Sequence, residues 1–197
     1  MKKSLYSFYL SASLILFLSG VLSSCQNAGV ASPLNDKVSD FHFTNQDGRP
    51  FSKSDLDGKV WIADFIFTSC KTICPPMTAN MRILQRKAEE ENIPLEIVSF
   101  SVDPNVDTPA KLKQFGEKFH SSFSNWDFLT GYSDSDISAL ARQSFKTIVK
   151  KPVNEDQVIH GTSFYLVDQK GMIVKNYSGA EKPPFNEMLS DIKKLQR

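Results

Sequence analysis

An α/β sandwich, with a central mixed β-sheet flanked by helices, is the fold class this sequence predicts. Three observations lead there. Strand-like apolar runs alternate with segments of helical spacing through the middle of the chain. The run at 59–67 (Lys-Val-Trp-Ile-Ala-Asp-Phe-Ile-Phe) is apolar almost throughout, as suits a strand covered on both faces. The chain then finishes on a hairpin pattern followed by a helical one. With 197 residues, 41% hydrophobic and 23% charged, there is enough apolar material for one core, and the composition excludes a collagen, a coiled coil and wholesale disorder.

Taken in order, residues 1–24 lie outside that fold. Lys2 and Lys3 precede a nearly uncharged stretch centred on Leu14-Ile15-Leu16-Phe17-Leu18, the charged and apolar regions of a secretory signal peptide. The stretch ends Leu22-Ser23-Ser24-Cys25, which resembles a lipobox, so Cys25 is expected to receive lipid (palmitate) and become the new N-terminus. The alternatives are an uncleaved membrane anchor and a secreted protein in which Cys25 is incidental; all three place the domain outside the cytoplasm. Cleavage removes two lysines and no acid, leaving 21 basic residues against 22 acidic ones, so attachment to the cell membrane would rest on the lipid anchor rather than on charge. The same balance gives no reason to expect nucleic acid as a partner. Residues 25–37, small and polar, read as a flexible tether, and 38–197 as the folded domain.

Within that domain, residues 41–44 and 49–52 flank Asn45-Gln46-Asp47-Gly48, a strong hairpin signal. After the strand at 59–67, apolar residues at 77, 81, 84 and 88 predict a helix over 77–91. A strand at 95–102 follows, then a helix at 109–119 with Thr108 as N-cap and Pro109 in its first position. A short strand at 126–129, a helix at 134–145, a hairpin of 162–167 with 172–177, and a helix at 184–195 complete the pattern. There is no internal repeat and no glycine-rich phosphate loop.

Chemistry concentrates just after the first long strand, in Thr68-Ser69-Cys70-Lys71-Thr72-Ile73-Cys74-Pro75-Pro76-Met77. Pro75 keeps the helix from starting before Cys74, and a proline is tolerated in the first helical turn. Cys74 is therefore expected at a helix N-terminus and Cys70 on the loop before it, where the partial positive charge favours thiolate. Two such thiols can form a redox-active disulfide, present two thiolates to a soft metal, or serve as a permanent structural pair. Of the three histidines, His42 and His120 read as surface or capping residues. His160, opening His160-Gly161-Thr162 before an apolar strand, would complete a Cys₂His set suited to copper, although a histidine at a strand start is also an ordinary structural residue.

Four segments in order, Asp64-Phe65-Ile66-Phe67-Thr68-Ser69-Cys70, Cys74-Pro75-Pro76-Met77, Ser99-Phe100-Ser101-Val102-Asp103-Pro104 with Asp107-Thr108-Pro109, and Ile159-His160-Gly161-Thr162-Ser163-Phe164, resemble the Sco (SenC) family, above all its lipoprotein form in Gram-positive bacilli. The resemblance implies a thioredoxin-like, peroxiredoxin-related fold. It implies binding of Cu(I) or Cu(II) through Cys70, Cys74 and His160, and support for assembly of the binuclear copper centre of cytochrome c oxidase subunit II. Other copper chaperones or thiol–disulfide reductants are implied as further partners. Some members carry an acid directly before the histidine, where this chain has Ile159. Asp103 matches the family's Asp-Pro segment but reads equally well as a strand-end turn residue.

Three other functions use the same atoms. A thiol–disulfide oxidoreductase would leave His160 incidental, and thioredoxin-type enzymes place two residues between the cysteines where this chain has three. A thiol peroxidase needs a proline-rich approach to its cysteine, which residues 65–69 lack. A redox sensor would need only the two thiols.

Overall fold

The helices form because each offers the core one apolar stripe. In a computed structural model that describes residues 36–153 and 155–196, helix α1 (Cys74–Glu90) buries Met77, Met81, Leu84 and Ala88, the spacing read from the sequence. It begins at Cys74, earlier than residue 77, because Pro75 and Pro76 fall in the first turn, where an amide hydrogen has no partner to lose. Helix α2 (Pro109–Lys118) is capped by Thr108, whose hydroxyl accepts from the amide of Lys111. Helix α3 (Asp134–Gln143) starts on a capping box between Ser133 and Asp136, and α4 (Phe185–Leu195) buries Met188, Leu189 and Ile192. None of these helices is long and apolar enough to cross a membrane.

Ten strands are described: β1 (Asp36–Lys37), β2 (His42–Thr44), β3 (Pro50–Ser52), β4 (Trp61–Ile66), β5 (Glu96–Ser101), β6 (Trp126–Leu129), β7 (Val149–Lys150), β8 (Ile159–His160), β9 (Ser163–Val167) and β10 (Met172–Ser178). Six form one mixed sheet in the order β1-β10-β9-β4-β5-β6. The run β4-β5-β6 is parallel, and β9 lies antiparallel against the other side of β4. The expected hairpins appear as β2-β3 and β9-β10, the latter with a register shift between Ile173 and Lys175. β1, a 3₁₀ turn at Lys53–Leu56 and the separate two-stranded pair β7-β8 were not expected from the pattern.

Alternation along β4 and β5 divides the core. Phe65 and Phe100 point to one face, where they meet Phe145, Phe41 and Tyr165 at ring separations of 5.2 to 6.1 Å. Asp64 and Ser99 point to the other, with Trp126 and Phe128, and there α2 comes so close that a Cβ on Gly116 would lie 2.8 Å from the Phe123 ring. β4, buried along its whole length in mid-sheet, delivers the cysteine loop at its C-terminal end.

Candidate metal centre

The loop leaving β4 is held before it reaches the cysteines. The buried Asp107 carboxylate accepts the Thr68 amide at 3.1 Å, the Thr68 hydroxyl at 2.6 Å and the Ser101 hydroxyl at 2.6 Å. Burial still pushes the Asp107 carboxyl above its usual range, although the Ser101 and Thr68 donors oppose it. The chain then turns, with the Cys70 amide donating to Phe67 at 3.3 Å, and enters α1 at Cys74.

Both cysteines are free thiols within reach of one another, and their environments differ. The Cys74 amide donates to Cys70 Sγ at 3.3 Å. Burial raises the Cys70 thiol, but the donors from Cys74 and the backbone of Thr72 and Ile73 outweigh it, so the net shift is downward. Cys74, wholly buried, is driven far upward by desolvation, by its hydrogen bond to Cys70 and by the nearby charges of Cys70 and Asp64. The helix terminus therefore favours thiolate at Cys70, on the loop, rather than at Cys74 inside the first turn. The sequence located the activating terminus; the amide directions decide which sulfur benefits.

His160 arrives from the other end of the domain, 86 residues beyond Cys74, with its Nε2 3.4 Å from Cys74 Sγ. Its Nδ1 lies 2.9 Å from the Gly161 carbonyl, which can only accept, so the ring proton sits on Nδ1 and the Nε2 lone pair faces the sulfurs. Burial holds the imidazole below its usual range, with the Gly161 carbonyl opposing, and so favours the neutral, ligating form. The Phe67 ring packs edge-to-face against it at 5.7 Å. One donor atom from each of Cys70, Cys74 and His160 lies within 4.8 Å of the others.

The remaining candidates separate cleanly. His42 is an exposed residue bonded to Ser52, and His120 occupies a left-handed position (φ 57°) after α2, so neither joins the cluster. Asp103 is buried and paired at 2.8 Å with Lys151, a residue sequence reasoning passed over. Asp107 stood in the quoted Asp-Thr-Pro segment without an assigned role; its clustered donors become visible only when β5 and the cysteine loop are side by side. Cys25 lies outside the described residues.

Two soft sulfurs and one imidazole make a donor set matched to copper in either oxidation state. The family model SCO1/SenC matches residues 30–197. A SCO1 protein homolog of Bacillus subtilis (strain 168) is 54% identical over 87% of this chain and 89% of its own. The crystal structure of a SCO1/SenC family lipoprotein from Bacillus anthracis str. Ames superposes with a TM-score of 0.82 at 52% identity, covering 86% of this chain and 100% of that one. BsSco, described as having a disulfide switch and as a member of the Sco family of cytochrome c oxidase assembly proteins, is 55% identical with a TM-score of 0.78 over 83% and 95% of the two chains. Arabidopsis thaliana ScoI, solved with copper bound, matches at 26% identity and a TM-score of 0.68 over 79% and 98%.

Proposed function

The chain belongs to the SCO1/SenC family, and from that premise we propose that it is a copper metallochaperone and thiol-redox factor for assembly of the binuclear copper centre on cytochrome c oxidase subunit II. The observation that carries this reading is the Cys70–Cys74–His160 cluster, three donors within 4.8 Å of one another. Copper would be held by the two sulfurs and His160 Nε2 and would be cargo for the oxidase. Cys70 supplies a ready thiolate, Cys74 gives up its proton as its sulfur becomes a ligand, and neutral His160 offers a lone pair already aimed. Cys25 would anchor the domain by lipid on the extracytoplasmic face of the cell membrane, where subunit II and other copper chaperones or thiol reductants could meet it.

The difference between the two thiols favours a second reading, thiol–disulfide exchange or redox sensing without a physiological metal. The Cys70 thiolate would attack a disulfide on a partner, releasing one partner sulfur as thiolate and forming a mixed disulfide, and the Cys74 sulfur would then attack Cys70 Sγ and displace the partner's remaining sulfur. A Cys70–Cys74 bond forms, two electrons pass to the partner, and the Cys74 proton is taken up by a departing partner thiolate.

Anaerobic titration of the reduced full chain in detergent with Cu(I) and Cu(II) separates the readings. Loss of either cysteine should abolish tight binding of both ions. His160→Ala should weaken Cu(II) far more than Cu(I) and bleach the thiolate-to-copper charge-transfer band, while leaving the Cys70–Cys74 disulfide able to form. Unchanged Cu(II) affinity and colour in His160→Ala would return the site to plain thiol chemistry.

A further inference from the structure

His160 is not carried by the six-stranded sheet. It lies in β8, whose ladder partner is β7 in a separate two-stranded piece, with Val149 opposite His160. Lys151 follows β7 directly, and its ammonium reaches across to Asp103, just past the C-terminal end of β5, at 2.8 Å. The pair lines a cleft of about 340 Å³ together with Ser69 and Lys71 of the cysteine loop and Asp156 and Gln157 of the histidine segment. Asp103 is itself fixed, its side chain only 2% exposed and its amide donating to Ser101 Oγ at 3.2 Å, whereas the Lys151 side chain is 32% exposed. A carboxylate this buried needs a counter-charge, and here the counter-charge belongs to the strand pair that carries the histidine.

We infer that Lys151 is a positioning residue for copper capture: its ion pair with Asp103 ties the β7-β8 segment to the turn after β5, which Asp107 joins to Thr68 at the start of the cysteine loop, and so holds His160 Nε2 over the two sulfurs. This rests on the reading of His160 as a copper ligand. The pairing also occupies the Asp103 carboxylate, giving that acid a fixed role on the histidine side of the site without a bond to metal.

The test compares Lys151→Met, Lys151→Arg, Asp103→Asn and the Lys151→Met/Asp103→Asn double variant with His160→Ala, all as reduced full chain in detergent. Cu(I) and Cu(II) affinity, the charge-transfer band and imidazole nitrogen coupling in pulsed EPR are measured for each. Lys151→Met should lower Cu(II) affinity by roughly 10- to 100-fold, the range for groups that orient a metal ligand. It should weaken the nitrogen coupling and leave Cu(I) affinity and disulfide formation unchanged. Lys151→Arg should recover most of the loss, and the double variant should be no worse than the worse single one. The inference falls if Lys151→Met matches wild type while His160→Ala loses Cu(II), if Lys151→Met loses both ions equally, or if Asp103→Asn loses far more Cu(II) than Lys151→Met, the mark of a direct ligand. An unaffected His160→Ala would instead overturn the underlying reading of the site.

Discussion

Asp64 is the residue whose environment is least comfortable. It sits wholly buried in β4, accepts one hydrogen bond from Ser99 at 2.6 Å, and its Oδ2 has no partner. Desolvation raises its carboxyl from the ordinary 3.8 to about 7, against the Ser99 bond. The folded chain thus keeps a proton that the unfolded chain releases between those values. Stability should fall as pH rises through that window, by at most about 1.4 kcal/mol per pH unit. Asp64→Asn removes the titration, so the variant should gain on wild type between pH 4 and pH 8 in denaturant melts; a constant difference would show that Asp64 is charged throughout. At this scale the sequence was informative about residue types and silent about direction. Cys70, Cys74 and His160 stand out by chemistry alone, but which thiol the N–H groups face, and that Asp103 is matched by Lys151, depend on bond vectors that spacing does not contain.

Among the elements, β7-β8 is the least legible and the most consequential. Each strand has two residues, too short for any period, and the segment misleads a hydrophobic reading because Ile148, Val153 and Ile159 are exposed. The longer elements were read within a few residues because each presents a stripe or run to a core large enough to select it, as Met77, Met81, Leu84 and Ala88 do in α1. Gly161 joins the short pair to β9, and its need is steric: a Cβ there would collide with Thr147 Oγ1 and lie 3.4 Å from the Tyr165 hydroxyl. Gly161→Ala should therefore push His160 off the sulfurs, weakening the Cu(II) charge-transfer band while Cu(I) binding persists. Adding Thr147→Ala should restore part of the band, since the nearest atom then removed is the one in conflict. A Gly161→Ala protein with full colour would mean the segment yields without moving the ring.

For the molecule as a whole, the proposed copper binding and the disulfide would compete for the same two sulfurs. Reduced protein given copper at about 100 times its dissociation constant should gain about 2.7 kcal/mol. For a domain of this size that raises the melting temperature by roughly 5–10 °C. Oxidised protein should show no copper-dependent shift; an equal shift in both forms would place the metal elsewhere. The sandwich class was legible because alternating strand and helix patterns admit few layered solutions. The strand order was not, since nothing local in residues 163–167 says that they insert beside β4 rather than at an edge.

That insertion governs when the site can exist. A polypeptide made from its N-terminus presents Cys70 and Cys74 long before β8, β9 and β10 emerge, and β1 must wait for β10 to find its neighbour. The incomplete chain has thiols but no imidazole over them, so on the proposed ligand set it could be oxidised to a disulfide or take Cu(I), yet would hold Cu(II) only weakly. On that reading, tight Cu(II) binding would arrive only with the last strands. A truncated product would thus be confined to Cu(I), and only the finished chain would hold both oxidation states tightly.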